Sequence, residues 1–157
     1  MRLTFESLHL AAIAALLLLA GASVAHAAGA KASARTSTNS SSSVSVRDGW
    51  FRALPPSVPS GGYFTLHNGS GAPVILTGVE SPGCGMMMMH QSGPGGMTHV
   101  AALTIPAGGT QAFAPGGYHL MCMQSRLTVG ASVPVTLTFQ DGAKVTVPFQ
   151  VRSATGK

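Results

Sequence analysis

Seven of the eight methionines lie between positions 86 and 123: Met86, Met87, Met88, Met89, Met97, Met121 and Met123. His90, His99 and His119 are interleaved with them. Methionine is a good filler of irregular core space. A filler, however, would be spread over the whole fold, and between position 28 and the end of the chain no methionine occurs outside this stretch. Thioether sulfur is soft and neutral. It suits Cu(I) and has little affinity for hard ions such as Mg or Ca, while imidazole suits copper, zinc and nickel. Zinc would draw on cysteine and histidine, with carboxylate as an option. A Met/His set without carboxylates therefore selects copper, above all Cu(I). Thioethers need no deprotonation, so part of the affinity persists at mildly acid pH.

Strand geometry sorts these side chains. Tyr118-His-Leu-Met-Cys-Met123 reads as a strand. With a side-chain period of two, His119, Met121 and Met123 share one face, and Leu120 and Cys122 point to the other. Met86, Met88 and His90 share a face in the same way, leaving Met87 and Met89 to pack on the opposite side. His99 is either a neighbour of the site or an exposed strand histidine. Cys84 and Cys122 are the two cysteines. In an oxidising compartment they can form a disulfide. Cys122 could instead be a thiolate ligand of a blue-copper site, but its facing opposite His119 disfavours that role.

These residues need a scaffold, and the pattern around them is all β. Candidate strands are Val44–Arg52, Gly62–Asn68, Val74–Glu80, Met86–Gln91, Thr98–Ile105, Gln111–Phe113, Tyr118–Met123, Val133–Phe139 and Lys144–Arg152. Short β-branched and aromatic runs broken by Gly, Pro, Asn and Ser at this spacing indicate a sandwich or barrel. Val133, Val135, Leu137 and Phe139 alternate onto one face, and Asp141-Gly142 turns the chain into a final hairpin. Pro134 and Pro148 point to edge positions or strand ends. Trp50 reads as a core aromatic, and His67 as a structural histidine.

The N-terminus reads as an export leader over 1–27: Arg2, an apolar run from Leu8 to Val24, then Ala25-His26-Ala27 as a small-x-small cleavage site. A lipoprotein is not expected, because no cysteine stands near that site. Residues 28–43 are small and polar and read as a flexible linker. The folded domain is then 44–157, without stable membrane insertion once the leader is removed. The net charge is +5. Its bases are scattered (Arg47, Arg52, Arg126, Lys144, Arg152), which argues against nucleic-acid binding. No paired carboxylates, nucleophile elbow or phosphate loop indicates an enzyme.

At these residues the chain resembles the periplasmic copper chaperone family PCuAC (DUF461). Val46-Arg-Asp-Gly-Trp-Phe-Arg-Ala53 resembles the family's opening strand, and Gly62-Tyr-Phe-Thr-Leu-His-Asn68 its second. Ile105-Pro-Ala-Gly-Gly109, followed by Phe113-Ala-Pro-Gly-Gly-Tyr-His-Leu-Met121, resembles its most recognisable stretch. The family's site is a histidine, a methionine about ten residues on, twenty-one residues, then His-x-Met. Here twenty-one residues separate Met97 from His119-Leu-Met121.

The first histidine departs from that pattern, since only six residues lie between His90 and Met97. His90 is preferred as the ligand, because a loop tolerates deletion better than a site tolerates relocation. Met86 and Met88 are the alternatives. The resemblance implies a cupredoxin-like Greek-key β-sandwich with Cu(I) held by His90, Met97, His119 and Met121; the methionine cluster itself adds Met86, Met88 and Met123 as secondary sulfurs. The resemblance also implies a periplasmic carrier without enzymatic activity. Its partner would be a copper-accepting protein, such as a cytochrome oxidase subunit or another copper chaperone. The other readings are a copper tolerance or storage protein and an electron-transfer cupredoxin.

Overall fold

In the computed structural model the described residues, 43–157, form ten strands and no helix. The expected leader over 1–27, and the expected linker over 28–43 save Ser43, lie outside the described residues. The strands are β1 (Val44–Arg52), β2 (Ser60–Asn68), β3 (Val74–Glu80), β4 (Met86–Gly93), β5 (Gly96–His99), β6 (Leu103–Ile105), β7 (Thr110–Phe113), β8 (Tyr118–Met123), β9 (Ser132–Phe139) and β10 (Lys144–Arg152). Among the described residues no helix is long and apolar enough to cross a membrane.

The hydrogen-bonded order is β5-β4-β8-β7-β2-β1-β10-β9-β3-β6, and β8 also pairs with β2. β5 and β6 stand at opposite ends of this order, yet only residues 100–102 join them. From His99 to Leu103 an extended chain reaches at most about 14 Å. The two ends of the sheet must therefore approach each other, and the sheet curls into two layers around one core. Leu76 of β3 and Val135, Leu137 and Phe139 of β9 meet Met89 of β4 and Leu120 of β8 in that core. Phe64 stacks on Phe113 with ring centroids 4.1 Å apart, and Phe51 meets Phe149 at 5.3 Å.

The stretch expected as one strand, Thr98–Ile105, is thus two. It breaks where Val100 N–H donates to the Met89 carbonyl at 2.9 Å and the chain leaves β4 for the edge of β3. Pro134 and Pro148 face each other across β9 and β10. β1 pairs with β10 only from Gln150 onward, and β3 pairs with β9 only from Thr136 onward. Both prolines therefore sit where their strand has one neighbour, so neither missing N–H breaks a ladder. Trp50 differs from expectation. It is partly exposed, packs on Tyr63 at 4.7 Å and carries the Arg152 guanidinium 4.8 Å above its ring.

Two side-chain devices tie strands together, and the second lies at the edge that carries the methionines. Buried Asn68 donates from Nδ2 to the carbonyls of Ala72, Ile105 and Pro106 at 2.8, 3.1 and 3.0 Å, tying β2 to the turn after β6. Cys84 and Cys122 are joined by a disulfide, with Cα atoms 5.3 Å apart and 38 residues of separation. It links the entry of β4 to the end of β8. Closing a loop of that length is worth roughly 2–4 kcal/mol. Replacing both cysteines by alanine is expected to lower the unfolding free energy in urea by about that amount, and an unchanged midpoint would show that the link does not hold the edge in place.

Candidate metal centre

β4 lies between β5 and β8, and its register with both strands decides which side chains meet. On β8 the pairs are Met86 with Met123, Met87 with Cys122, Met88 with Met121, Met89 with Leu120, and His90 with His119. On β5 they are His90 with His99 and Ser92 with Met97. Directly paired residues share a face. The inner face of β4 and β8 carries Met87, Met89, Leu120 and Cys122. Met89 is buried, Leu120 and Cys122 are fully buried, and Met87 packs against the same core. The outer face carries every other methionine and histidine of the cluster.

On that outer face three histidines form one row across three strands: His99, His90, His119. The ring centroids of His90 and His99 are 5.9 Å apart, and those of His90 and His119 are 6.0 Å apart, both edge-on. One rung to one side lies Met97, paired with Ser92 and 59% exposed. One rung to the other side lie Met88 and Met121. Met86 and Met123 form the rung beyond. Each rung is about 7 Å further along the strands. The imidazole row is thus flanked by thioethers on both sides.

Two of the imidazoles are held in distinct polar surroundings. His119 is buried, and its Nδ1 lies 3.0 Å from the Gly117 carbonyl oxygen. A carbonyl only accepts, so Nδ1 donates, and in the neutral tautomer that this contact selects the free lone pair is on Nε2. The Nδ1 of His90 is buried with no hydrogen-bond partner. Burial first, then the charges of His119 and His99, hold the His90 pKa below the ordinary histidine value. Both effects favour the neutral ring, which is the form that binds metal.

Among the described residues no three His, Cys, Asp or Glu side chains are placed to hold a metal ion by themselves. The further soft donors available on this face, one rung from the row, are the thioethers of Met88, Met97 and Met121. The acids stand elsewhere, and Glu80 is engaged by Lys144 at 3.3 Å. Cys122 is bonded to Cys84 and faces the core, so the thiolate that an electron-transfer cupredoxin requires is absent.

The neighbouring strand adds residues that spacing alone does not reveal. Gly61 of β2 pairs with Met121, and a Cβ at Gly61 would lie 2.9 Å from Tyr63 Cζ. The Tyr63 phenol therefore covers Gly61 beside Met121, with the Trp50 ring packed against it at a tilt of 44°. His99 is brought level with His90 by the hairpin around Pro94-Gly95, where Gly96 takes the left-handed conformation at φ 103°. His67 lies apart, its Nδ1 3.0 Å from Thr110 Oγ1. In the metal-free protein His90 is expected to titrate below 6.5, followed by the pH dependence of its ring-proton NMR shifts. A midpoint at or above that value would contradict the desolvated placement of its ring.

The sequence profile described as "Putative lipoprotein LpqE-like" matches residues 44–151. "Putative lipoprotein Lxx21020" of Leifsonia xyli subsp. xyli is 29% identical over 120 residues, which cover 72% of each chain. The Cu(I) form of DR1885 from Deinococcus radiodurans, solved in solution, is 34% identical, with 68% of this chain and 76% of that chain covered and a TM-score of 0.58. A copper-bound PCuAC domain from PmoF2 shares the fold at a TM-score of 0.62 and 24% identity, over 71% of this chain and 93% of that one. Both cysteines of the present sequence are committed to the disulfide, so neither is free to carry a lipid. Its matched span and its curled all-β sheet place this chain in the LpqE-like family, with the cupredoxin-like fold of PCuAC domains.

Proposed function

We propose that this protein is an exported copper carrier that holds Cu(I) on the outer face of β4, β5 and β8. The observation that carries this reading is the imidazole row flanked by thioethers, at a place with no carboxylate and no free thiol. The proposed ligands are His90, His119 and Met121, with Met97 completing the set from the hairpin. The register supports His90 over Met86 as the first ligand. His90 stands opposite His119, whereas Met86 is four residues away, about 13 Å along the strand. Copper as the ion is supported by the similar structures, one described as copper-bound and one as the Cu(I) form. Export accords with the lipoprotein descriptions of the relatives and with the disulfide, which belongs to an oxidising compartment.

A carrier has to bind tightly and still release. His119 is buried and orientated by the Gly117 carbonyl, so it anchors the ion from within. Met97 is exposed on a short hairpin and supplies a neutral, weakly bound sulfur. A recipient's ligand can displace that sulfur first while the buried side of the site still holds the ion. Release then proceeds by stepwise ligand exchange, without a bare ion in water. The recipient is a copper-accepting protein, such as a cytochrome oxidase subunit or another copper chaperone, as in the family the sequence resembles. No enzymatic step belongs to this reading.

Met121→Leu removes the sulfur and keeps volume and apolarity, so the fold should survive. Competition against a chromogenic Cu(I) chelator is expected to show affinity reduced at least tenfold, since even a partner outside the ligand set commonly costs ~10–100-fold. Met89→Leu, on the core face, is expected to leave the affinity unchanged. Equal affinities for wild type and Met121→Leu would refute the assignment.

A further inference from the structure

The outer face carries more sulfur than one copper ion can use. Resting on the reading above, the His90–His119 row takes Met121 on one side and Met97 on the other. Met86 and Met123 remain, directly paired on the last rung, with Met88 one rung inward. None of the three belongs to the hydrophobic core, where Met89 and Met87 do the packing. Met86 is 55% exposed, and Met88 and Met123 are partly exposed. Packing therefore does not account for them.

Distance separates this rung from the histidines. The Met86–Met123 rung lies two rungs, about 13 Å, from the imidazole row, whereas Met121 and Met97 each stand one rung from it. The backbone under the rung is held firmly. The Cys84–Cys122 disulfide ties β4 and β8 at this end, and Gly85 N–H donates to the Met123 carbonyl at 2.9 Å. Two strands fixed in register present three thioethers on one open face, which is a preorganised soft-donor site.

We propose that Met86, Met88 and Met123 form a second, all-thioether Cu(I) site. It needs no carboxylate and no deprotonation, because its ligands are neutral and the ion keeps its single charge. It is more open than the first site and lies on the same face, with the Met88–Met121 rung between the two. The second ion is therefore held more weakly, and the rung makes a path along which an ion arriving at Met86 passes inward to the histidines.

The test is a Cu(I) titration of the full protein against a chromogenic chelator, with folding checked by circular dichroism. Wild type is expected to bind two Cu(I) per chain, one tightly and one more weakly. Met86→Leu/Met123→Leu is expected to bind one, with the tight affinity kept. His90→Ala/His119→Ala is expected to bind one, with only the weaker affinity left and X-ray absorption showing sulfur ligands alone. Saturation of wild type at one ion, a Leu double variant that still binds two, or a His double variant that binds none would overturn the second site. Loss of the tight ion in the Leu double variant, with the His double variant keeping it, would instead overturn the assignment of the first site.

Discussion

The register of β4 against β8 is the constraint on which the rest depends. Side chains alternate across a strand, so a slip of one residue would exchange the two faces of β4. Met87 and Met89 would then point outward, and His90 would be driven into the core without a partner for its ring nitrogens. Two independent demands prevent this. Met89, Leu120 and Cys122 must be buried together on the inner face. The Cys84–Cys122 disulfide pins the start of β4 to the end of β8. A run of four methionines could pair in several registers on apolarity alone. The disulfide and the single histidine at its end select one.

From that register the chemistry follows. The same pairing that buries one sulfur-bearing face lays the other open, so packing methionines and exposed thioethers alternate along one strand. His90 becomes the centre of a row because it has a histidine on each neighbouring strand. The curl of the sheet matters for a related reason. It brings β3 and β6 round to the β4–β5 side, which lets the chain leave the hairpin after His99 and start a new edge within three residues.

Much of this was legible in the sequence. The facing of His119, Met121 and Met123 follows from strand period alone, and so does the inward facing of Leu120 and Cys122. The split of the methionines into packing and exposed sets was readable in outline, because Met86 to Met89 alternate. The position of His99 was not readable. It depends on which residues the hairpin at Pro94-Gly95 places opposite each other, and a loop shorter than the family's changes that pairing. Tyr63 and Gly61 were hidden because their closeness to Met121 arises from pairing between strands about sixty residues apart in the chain. Trp50 misled for a simple reason: a large aromatic on a half-covered face can satisfy itself on Tyr63 and Arg152 without entering the core. The break in Thr98–Ile105 carries no Gly or Pro, and only the change of partner strand reveals it.

The central claim is that copper sits on the outer face, over the histidine row. Its most direct measurement is the response of the methionine ε-methyl groups in carbon–proton NMR spectra as the first equivalent of Cu(I) is added. The account predicts that the Met121 and Met97 methyls shift with that first equivalent, while Met87 and Met89, on the core side of the same strand, stay where they are. Shifts confined to Met87 and Met89, or a Met121 methyl that does not move, would contradict it.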